Sequence, residues 1–308
     1  MHRSRGRPGG TISNSPISRI VPFALLLLTA ISCDKLGLGS NSPTAPSGPP
    51  AAGSAIVYDA VGASDANGVG SSVVCPPFTD CPNGTGYAQV ATRQLKAQGF
   101  DISLVNMGIP TGVISPGFQT LGQQYGRTIV GNFITQEMPF VRTNATLVTV
   151  FAGGNEVNTI TAALGGGAGA SDQNGYVDAQ IRAFGTDFTT LLNGIRGRSG
   201  AARIIVLNVP NLAGLPYLAG ESLAQRQAAQ RAAVGMTKTV VNPLASQGIM
   251  VVDLMCDARM YQAANFSSDG FHPNDAGYAF IAAEIVRAET SSAYPAPQSS
   301  CSTMTLVP

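Results

Sequence analysis

The segment around His272 carries the residue types needed for proton transfer. The sequence has two histidines, and the other is His2, in an arginine-rich leader. Histidine has an unperturbed pKa of about 6.5, so it can accept and return a proton near neutral pH. Asp269 lies three residues before His272, and one tight turn would bring its carboxylate to one ring nitrogen and leave the other facing outward. The spacing predicts the base of a nucleophilic triad and the carboxylate that orients it.

The same segment is also typical of a helix start. Asn274 or Asp275 could cap a C-terminal helix, with His272-Pro273 as its lead-in, and this role is compatible with the first. A two-histidine metal site is excluded, because one histidine remains outside the leader. A cysteine-based metal cluster is disfavoured, because no Cys-x-x-Cys pair is present.

The length, hydrophobic content and charge of the chain limit which classes of protein it can belong to. With 308 residues, 44% of them hydrophobic, the chain can build one large core or two ordinary ones. All 17 acidic residues follow Cys33, whereas four of the 18 basic residues precede it, so the part after Cys33 has 14 basic residues and a formal charge of −3. This part has no basic field that would attract nucleic acid, and nucleic-acid binding is excluded.

Residues 1–32 are typical of an export signal, with an arginine-bearing start and an apolar run that is too short to span a membrane. The run ends in Ala30-Ile31-Ser32-Cys33, which resembles the lipobox of bacterial lipoproteins. The resemblance implies that Cys33 is lipidated and anchors the protein to a bacterial membrane, on the periplasmic or cell-surface side. Ordinary signal cleavage near the same place is the alternative, and the protein is exported in either case.

The rest of the chain divides into a linker and one folded domain. Residues 33–54 are mostly Gly, Ser, Pro, Ala and Asn, a composition that cannot bury enough surface to fold. They are predicted to be a flexible tether, and residues 55–308 the domain.

Four further cysteines fit an exported protein. Four thiols allow three pairings, and the sequence does not by itself decide among them. A local disulfide would staple the proline-rich loop between Cys75 and Cys81, so we favour Cys75–Cys81 together with Cys256–Cys301.

Short apolar runs alternate with longer amphipathic ones after the linker. Strands are predicted at residues 55–61, 102–107, 145–152, 203–209 and 249–254, and helices at 87–98, 176–195, 222–246 with an interruption near Gly235, and 276–288. Strands that are apolar throughout and separated by helices indicate a parallel sheet covered on both faces. The expected fold is a three-layer α/β/α sandwich with a central, mainly parallel five-stranded sheet.

Polar and small residues follow four of these strands. Ser64 follows the first, Gly108 the second, Asn155 the third, and the Asp269/His272 turn the fifth. Carboxyl ends of parallel strands meet at one edge of a sheet, so these residues are expected to lie together. A serine at such a turn can be a nucleophile, and a glycine N–H or asparagine amide can stabilise an oxyanion.

Each of these residues also has a purely structural interpretation. Ser64 or Asp65 could cap a helix, Gly108 could be needed for a positive φ, and Asn155 could cap the segment that follows it. The loops at residues 111–126 and 164–174 lie beside the predicted site and could form an acyl pocket, a lid or plain surface loops. Ser267 and Ser268 are weaker nucleophile candidates, because they are too close in sequence to His272 to face it easily.

Together these residues resemble the SGNH hydrolases, also called GDSL esterases and lipases, over roughly residues 55–290. The four motifs that carry the resemblance are Gly62-Ala63-Ser64-Asp65, Gly108, Gly153-Gly154-Asn155-Glu156 and Asp269-Gly270-Phe271-His272. The resemblance implies a flavodoxin-like fold, a Ser64–His272–Asp269 triad, and an oxyanion hole formed by the Ser64 and Gly108 N–H groups and the Asn155 side chain. Ala63 and Glu156 depart from the family pattern, in which aspartate stands at both positions.

The resemblance implies hydrolysis of carboxylic esters in two steps, through an acyl-enzyme and without a metal or organic cofactor. The sequence does not choose among a simple ester, an acetylated carbohydrate, a lysophospholipid and a thioester as the small-molecule, lipid or carbohydrate substrate. A different class is also open, a surface-binding lipoprotein that keeps the fold without the activity, with Ala63 and Glu156 as signs of decay.

Overall fold

The structure is a computed structural model and describes residues 48–308. The export signal, Cys33 and most of the linker lie outside the described residues, so those expectations stay predictions. Within residues 48–308, no helix has the length and apolar composition needed to cross a bilayer.

A parallel five-stranded sheet forms the centre of the domain. Its strands are β1 (Ala55–Gly62), β2 (Asp101–Asn106), β3 (Leu147–Phe151), β4 (Arg203–Leu207) and β5 (Met250–Val252). They lie in the order β2-β1-β3-β4-β5, and each neighbouring pair is parallel. Every residue of β3 and β4 is buried, because helices cover both faces of the sheet.

Helices form the two outer layers. They are α1 (Ser64–Asn67), α2 (Tyr87–Ala97), α3 (Pro116–Gln124), α4 (Phe133–Gln136), α5 (Gly154–Gly165), α6 (Gln173–Arg198), α7 (Leu223–Met236) and α8 (Asp275–Thr290). Helices α2 and α8 pack together on one face, and α3, α5, α6 and α7 pack with one another on the other. The predicted α/β/α sandwich is confirmed.

Two helices lie where the sequence predicts loops or gives no element. Helix α3 falls inside the predicted loop 111–126: Ser115 accepts a hydrogen bond from the Phe118 N–H, Pro116 occupies its first position, and Phe118 is buried. Helix α5 follows β3 directly and ends at Gly165, at the start of the predicted loop 164–174. Glycines within α3 and buried polar residues within α5 weaken the hydrophobic pattern of these helices, so the periodicity does not reveal them.

The predicted interruption near Gly235 is confirmed, although Gly235 itself is helical, because the regular helix α7 ends one residue later, at Met236. Gly235 lies inside α7, where a side chain would overlap Ile181 of α6, so this glycine serves close helix packing. The regular helix ends at Met236 and continues as a wider turn over Thr237–Val241 and a 3₁₀ segment over Asn242–Gln247. Pro243, which has no N–H to donate, accounts for the change in helix type.

Both favoured disulfides are present. Cys75 is bonded to Cys81, which is six positions away, and Cys256 to Cys301, 45 positions away. The first closes the loop after α1, and the second ties the C-terminal segment to the turn after β5.

We expect the two disulfides to contribute unequally to stability, because closing a longer loop removes more entropy from the unfolded chain. Loops of 6 and 45 residues correspond to about 2 and about 4 kcal/mol. The free energy of unfolding in urea should therefore fall further for Cys256→Ser/Cys301→Ser than for Cys75→Ser/Cys81→Ser. Equal losses, or a larger loss for the short loop, would contradict this account.

Candidate active site

Ser64, His272 and Asp269 form a continuous chain of hydrogen bonds at the carboxyl edge of the sheet. His272 Nε2 lies 2.8 Å from Ser64 Oγ, and His272 Nδ1 lies 2.6 Å from Asp269 Oδ2. A carboxylate can only accept, so it selects the tautomer with the proton on Nδ1 and leaves Nε2 to accept from the serine hydroxyl. The structure thus brings together three residues that the sequence places on two distant turns.

The turn that carries the histidine is held by the carboxylate of Asp269. Its Oδ1 accepts hydrogen bonds from Ser267 Oγ at 2.8 Å and from the Phe271 and His272 N–H groups at 2.8 and 2.9 Å. Partial burial acts to raise the pKa of Asp269, but these hydrogen bonds and that of the His272 ring outweigh it and lower the pKa to about 2. Asp269 is therefore ionised across the range in which an imidazole titrates.

Contacts outside these three residues fix the turn that carries His272 against the segment that follows Ser64. The Asp275 carboxylate accepts from the Ser72 N–H and from the Ser72 hydroxyl, both at 2.7 Å, and the Tyr278 hydroxyl donates to the Val69 carbonyl at 2.7 Å. Gly70 (φ +93°) lies so close that a Cβ there would be 2.7 Å from His272 Cβ. The start of α8 and the end of α1 are thereby joined.

Asn274 caps α8, as the alternative interpretation of this segment predicts. Its side-chain oxygen accepts from the Ala276 and Gly277 N–H groups at 3.0 and 3.1 Å. The capping interpretation is therefore confirmed, and it is compatible with the predicted role of His272 as a base.

Ser64 is the first residue of α1, and Ala63 alone separates it from the end of β1. The residue before the helix, Ala63, makes no side-chain capping bond, so neither Ser64 nor Asp65 serves as the cap. A buried carboxylate fixes the turn instead: Glu137 Oε2 accepts from the Gly62 N–H at 2.8 Å. Burial raises the pKa of Glu137 well above its ordinary value, against the opposing effect of the backbone N–H groups that it accepts from. Sequence reasoning missed Glu137, because its role depends on packing across 75 residues.

Gly108 packs directly against the turn that carries Ser64. A Cβ at Gly108 would lie 2.7 Å from the Ala63 carbonyl oxygen and 2.7 Å from Ala66 Cβ. Its φ is not among the positive values, so the interpretation based on backbone conformation is wrong, and close approach is the reason for glycine. The Gly108 N–H donates to Asn106 Oδ1 at 3.1 Å, while Asn106 Nδ2 donates to the Ala66 carbonyl at 2.6 Å.

Asn155 lies in the first turn of α5, and its amide has a defined orientation. Nδ2 donates to the Gly112 carbonyl at 2.9 Å, and Oδ1 accepts from Arg127 Nη2 at 3.2 Å. A flipped amide would place oxygen against oxygen and donor against donor. The predicted capping role is wrong, since α5 starts at Gly154 after Gly153, which adopts φ +122°. Sequence reasoning missed Arg127, which carries no local motif.

Glu156 has a structural role that accounts for its departure from the family pattern. One carboxylate oxygen accepts from the Ile114 N–H, and the other from the Gly153 N–H at 2.8 Å. Burial raises its pKa to about 7, against the lowering effect of these backbone donors. The side chain joins the turn before α5 to the segment after β2.

A small cavity of about 30 Å³ opens between the turn that carries Ser64, the turn that carries His272, and α5. It is bounded by Ala63 and Asp65 on either side of Ser64, by Phe271 and Pro273 on either side of His272, and by Asn155. The apolar side chains that complete its wall are Phe133, Phe151, Leu212, Leu215 and Met260. Among residues 48–308, no cluster of three or more His, Cys, Asp or Glu side chains could hold a metal ion.

Residues 60–280 match the model of the GDSL-like lipase/acylhydrolase family. The fold is similar to that of a lipase from a goat rumen metagenome, with 17% identity over 76% of this chain and 97% of that one and a TM-score of 0.52. It is also similar to an extracellular lipase from Streptomyces rimosus, with 18% identity over 76% of this chain and 100% of that one and a TM-score of 0.52. No curated protein sequence matches the chain.

Replacing Asp269 should make the free energy of unfolding less dependent on pH in the acidic range. A carboxyl group whose folded pKa is depressed contributes stability that is present above its ordinary pKa and lost as pH falls toward its folded pKa. For Asp269 the two limits are 3.8 and about 2. We therefore expect Asp269→Asn to have a lower urea midpoint than the wild type at about pH 6, and the difference to shrink between about pH 4 and pH 2. A difference that stays constant or grows over that interval would show that Asp269 is not held as described.

Proposed function

The chain belongs to the GDSL-like lipase/acylhydrolase family, and on this basis we propose that it hydrolyses carboxylic esters through an acyl-enzyme formed on Ser64. The single observation that carries the mechanism is the hydrogen-bond chain from Ser64 Oγ through the His272 ring to Asp269. This is the arrangement that converts a weakly nucleophilic hydroxyl into an attacking group.

In the first step, Ser64 Oγ attacks the ester carbonyl while His272 Nε2 takes the hydroxyl proton. Asp269, ionised and hydrogen-bonded to Nδ1, stabilises the imidazolium that forms. The tetrahedral intermediate then collapses, and His272 returns the proton to the departing alcohol. In the second step, water attacks the acyl-enzyme with His272 again as the base, and the acid leaves with Ser64 restored.

Three donors are available for the oxyanion of the tetrahedral intermediate. They are the Ser64 N–H, the Gly108 N–H and the second hydrogen of Asn155 Nδ2, the first hydrogen being committed to the Gly112 carbonyl. The Gly108 N–H contacts Asn106 Oδ1 at 3.1 Å, and an oxyanion is a stronger acceptor than a neutral amide oxygen. Each such donor contributes about 2.7 to 4 kcal/mol to the transition state in comparable enzymes.

The cavity beside Ser64 favours a short acyl group. Its volume of about 30 Å³ holds about two water-sized groups, enough for an acetyl methyl with little to spare. Its wall is mostly apolar, which suits an alkyl group. We place the acyl group in this cavity, so that the alcohol part of the ester lies outside it.

Full-length protein should hydrolyse p-nitrophenyl acetate, and Ser64→Ala and His272→Ala should each lower kcat roughly 10⁴- to 10⁶-fold, because the nucleophile and base act as one unit. Ser268→Ala is the matched control, since Ser268 is exposed on the same turn and has no part in the mechanism. Equal rates in all four proteins would reject the esterase and favour a binding protein that has kept the fold. Loss of activity in Ser268→Ala alone would place the nucleophile there.

Acyl-chain length tests the cavity. We expect kcat/KM for p-nitrophenyl acetate to exceed that for p-nitrophenyl decanoate by roughly tenfold or more, since a long chain would have to displace packed side chains. Leu215→Ala removes apolar volume from the cavity wall and should shift the preference toward butyrate. A wild-type preference for decanoate would show that the acyl group binds elsewhere.

A further inference from the structure

The guanidinium of Arg127 lies beside the site with donors that it does not use. Nη2 donates to Asn155 Oδ1 at 3.2 Å, and Nε is buried without an acceptor. Within residues 48–308, no carboxylate lies at ion-pair distance from Arg127. A buried donor without a partner is costly, so such an arrangement calls for an acceptor.

The nearby carboxylate of Glu156 does not supply that acceptor. Both of its oxygens are already engaged by the Ile114 and Gly153 N–H groups. Burial lowers the pKa of Arg127 from its usual value, with Tyr217 and Glu156 acting in the opposite direction. An arginine side chain remains charged under such conditions, so a positive charge lies beside Asn155 without a paired anion.

Arg127 also lines an open cleft of about 430 Å³. The polar side chains that share this lining are Asn158, Thr161, Gln173, Tyr217, Ser222 and Gln225. None of the lining residues is acidic. The cleft thus combines one cation with neutral hydrogen-bonding groups, the composition expected of a site for an anion.

Two series of contacts join this cleft to the triad. On one side, Arg127 contacts Asn155 directly. On the other, the Tyr217 ring packs on Phe271 with ring centroids 5.1 Å apart, and Phe271 packs on the His272 ring at 4.9 Å. The cleft is therefore connected to the site through Arg127 and Tyr217, and it shares no lining residue with the small cavity.

We propose that this cleft binds the alcohol part of the substrate and that Arg127 recognises an anionic group on it, a phosphate or a carboxylate. The substrate class is then a short-chain acyl ester of an anionic alcohol. This inference rests on the proposed esterase function, because it assumes that the acyl group occupies the small cavity. Arginine suits this role, since its planar fork can give two parallel hydrogen bonds to either anion.

The test compares matched anionic and neutral esters. The first pair is 4-acetoxybenzoate and its methyl ester, and the second is 1-acetylglycerol 3-phosphate and 1-acetylglycerol, so the two pairs distinguish a carboxylate from a phosphate. The measured quantity is the ratio of kcat/KM for the anionic ester to that for the neutral one. Taking this ratio cancels any general loss of activity caused by the contact between Arg127 and Asn155.

We expect the ratio to exceed one in the wild type for at least one pair and to fall about 10- to 100-fold in Arg127→Gln, the effect of losing a charged hydrogen-bond donor. Arg127→Lys, which keeps the charge but not the fork, should lie between the two. Arg196→Gln is the matched control, because Arg196 lies in the last turn of α6, before β4 and at the opposite edge of the sheet. Its ratio should equal that of the wild type.

An equal loss on anionic and neutral esters in Arg127→Gln would overturn the proposal, because Arg127 would then act only by holding Asn155. A wild-type ratio of one or below for both pairs would overturn it as well. Binding of glycerol 3-phosphate against glycerol, measured by calorimetry on Ser64→Ala with and without Arg127→Gln, gives a readout that does not need activity. If the protein hydrolyses no ester but binds phosphate in a way that depends on Arg127, the esterase mechanism is rejected and the anion site is retained. If Arg127→Gln leaves phosphate binding unchanged, the anion site is overturned.

Discussion

The packing of the segment after α1 against the start of α8, through Ser72, Gly70 and the Tyr278 hydroxyl, is the constraint on which the geometry of the site depends. The proposed triad is a chain of two hydrogen bonds, and neither could by itself hold Ser64 and His272, which lie 208 residues apart, in place. Asp275 fixes the backbone after α1 to the first residue of α8, and the close packing of Gly70 against His272 leaves no room for a different distance. Ser64 and His272 are therefore preorganised by contacts between their neighbouring segments as well as by their own hydrogen bond.

At this edge of the sheet, acidic side chains hold backbone turns in place by accepting hydrogen bonds from their N–H groups. Glu137 accepts from the Gly62 N–H, Glu156 from Gly153 and Ile114, and Asp269 from Phe271 and His272. Each carboxylate satisfies N–H groups that a sharp turn leaves without backbone partners. This explains why a chain with few charges concentrates several acids around one site, and why Glu156 can stand where the family has aspartate without losing the turn.

The strands, and the residues that meet at the site, could be predicted from the sequence alone. The polar groups that support the site could not. Strands such as β3 and β4 are apolar along most of their length, so they can be recognised locally. The parallel arrangement then brings Ser64, Gly108, Asn155 and His272 to one edge of the sheet. Helix α3 contains glycines where an apolar pattern would be, and α5 buries polar residues such as Asn158 and Thr159, so periodicity does not detect either helix. The positions of Glu137 and Arg127 follow from packing between segments far apart in sequence, for which no local pattern exists.

The 208-residue separation between Ser64 and His272 has a consequence for the life of the chain. The turn that carries Ser64 is synthesised early, whereas His272 and Asp275 are among the last parts of the domain to be made. Bringing together segments so far apart costs more loop-closure entropy than forming local contacts does. Under the proposed mechanism, a chain in which α8 has not yet docked has no base beside Ser64, so its serine is inert. Docking of the C-terminal helix is therefore the step that completes the proposed active site.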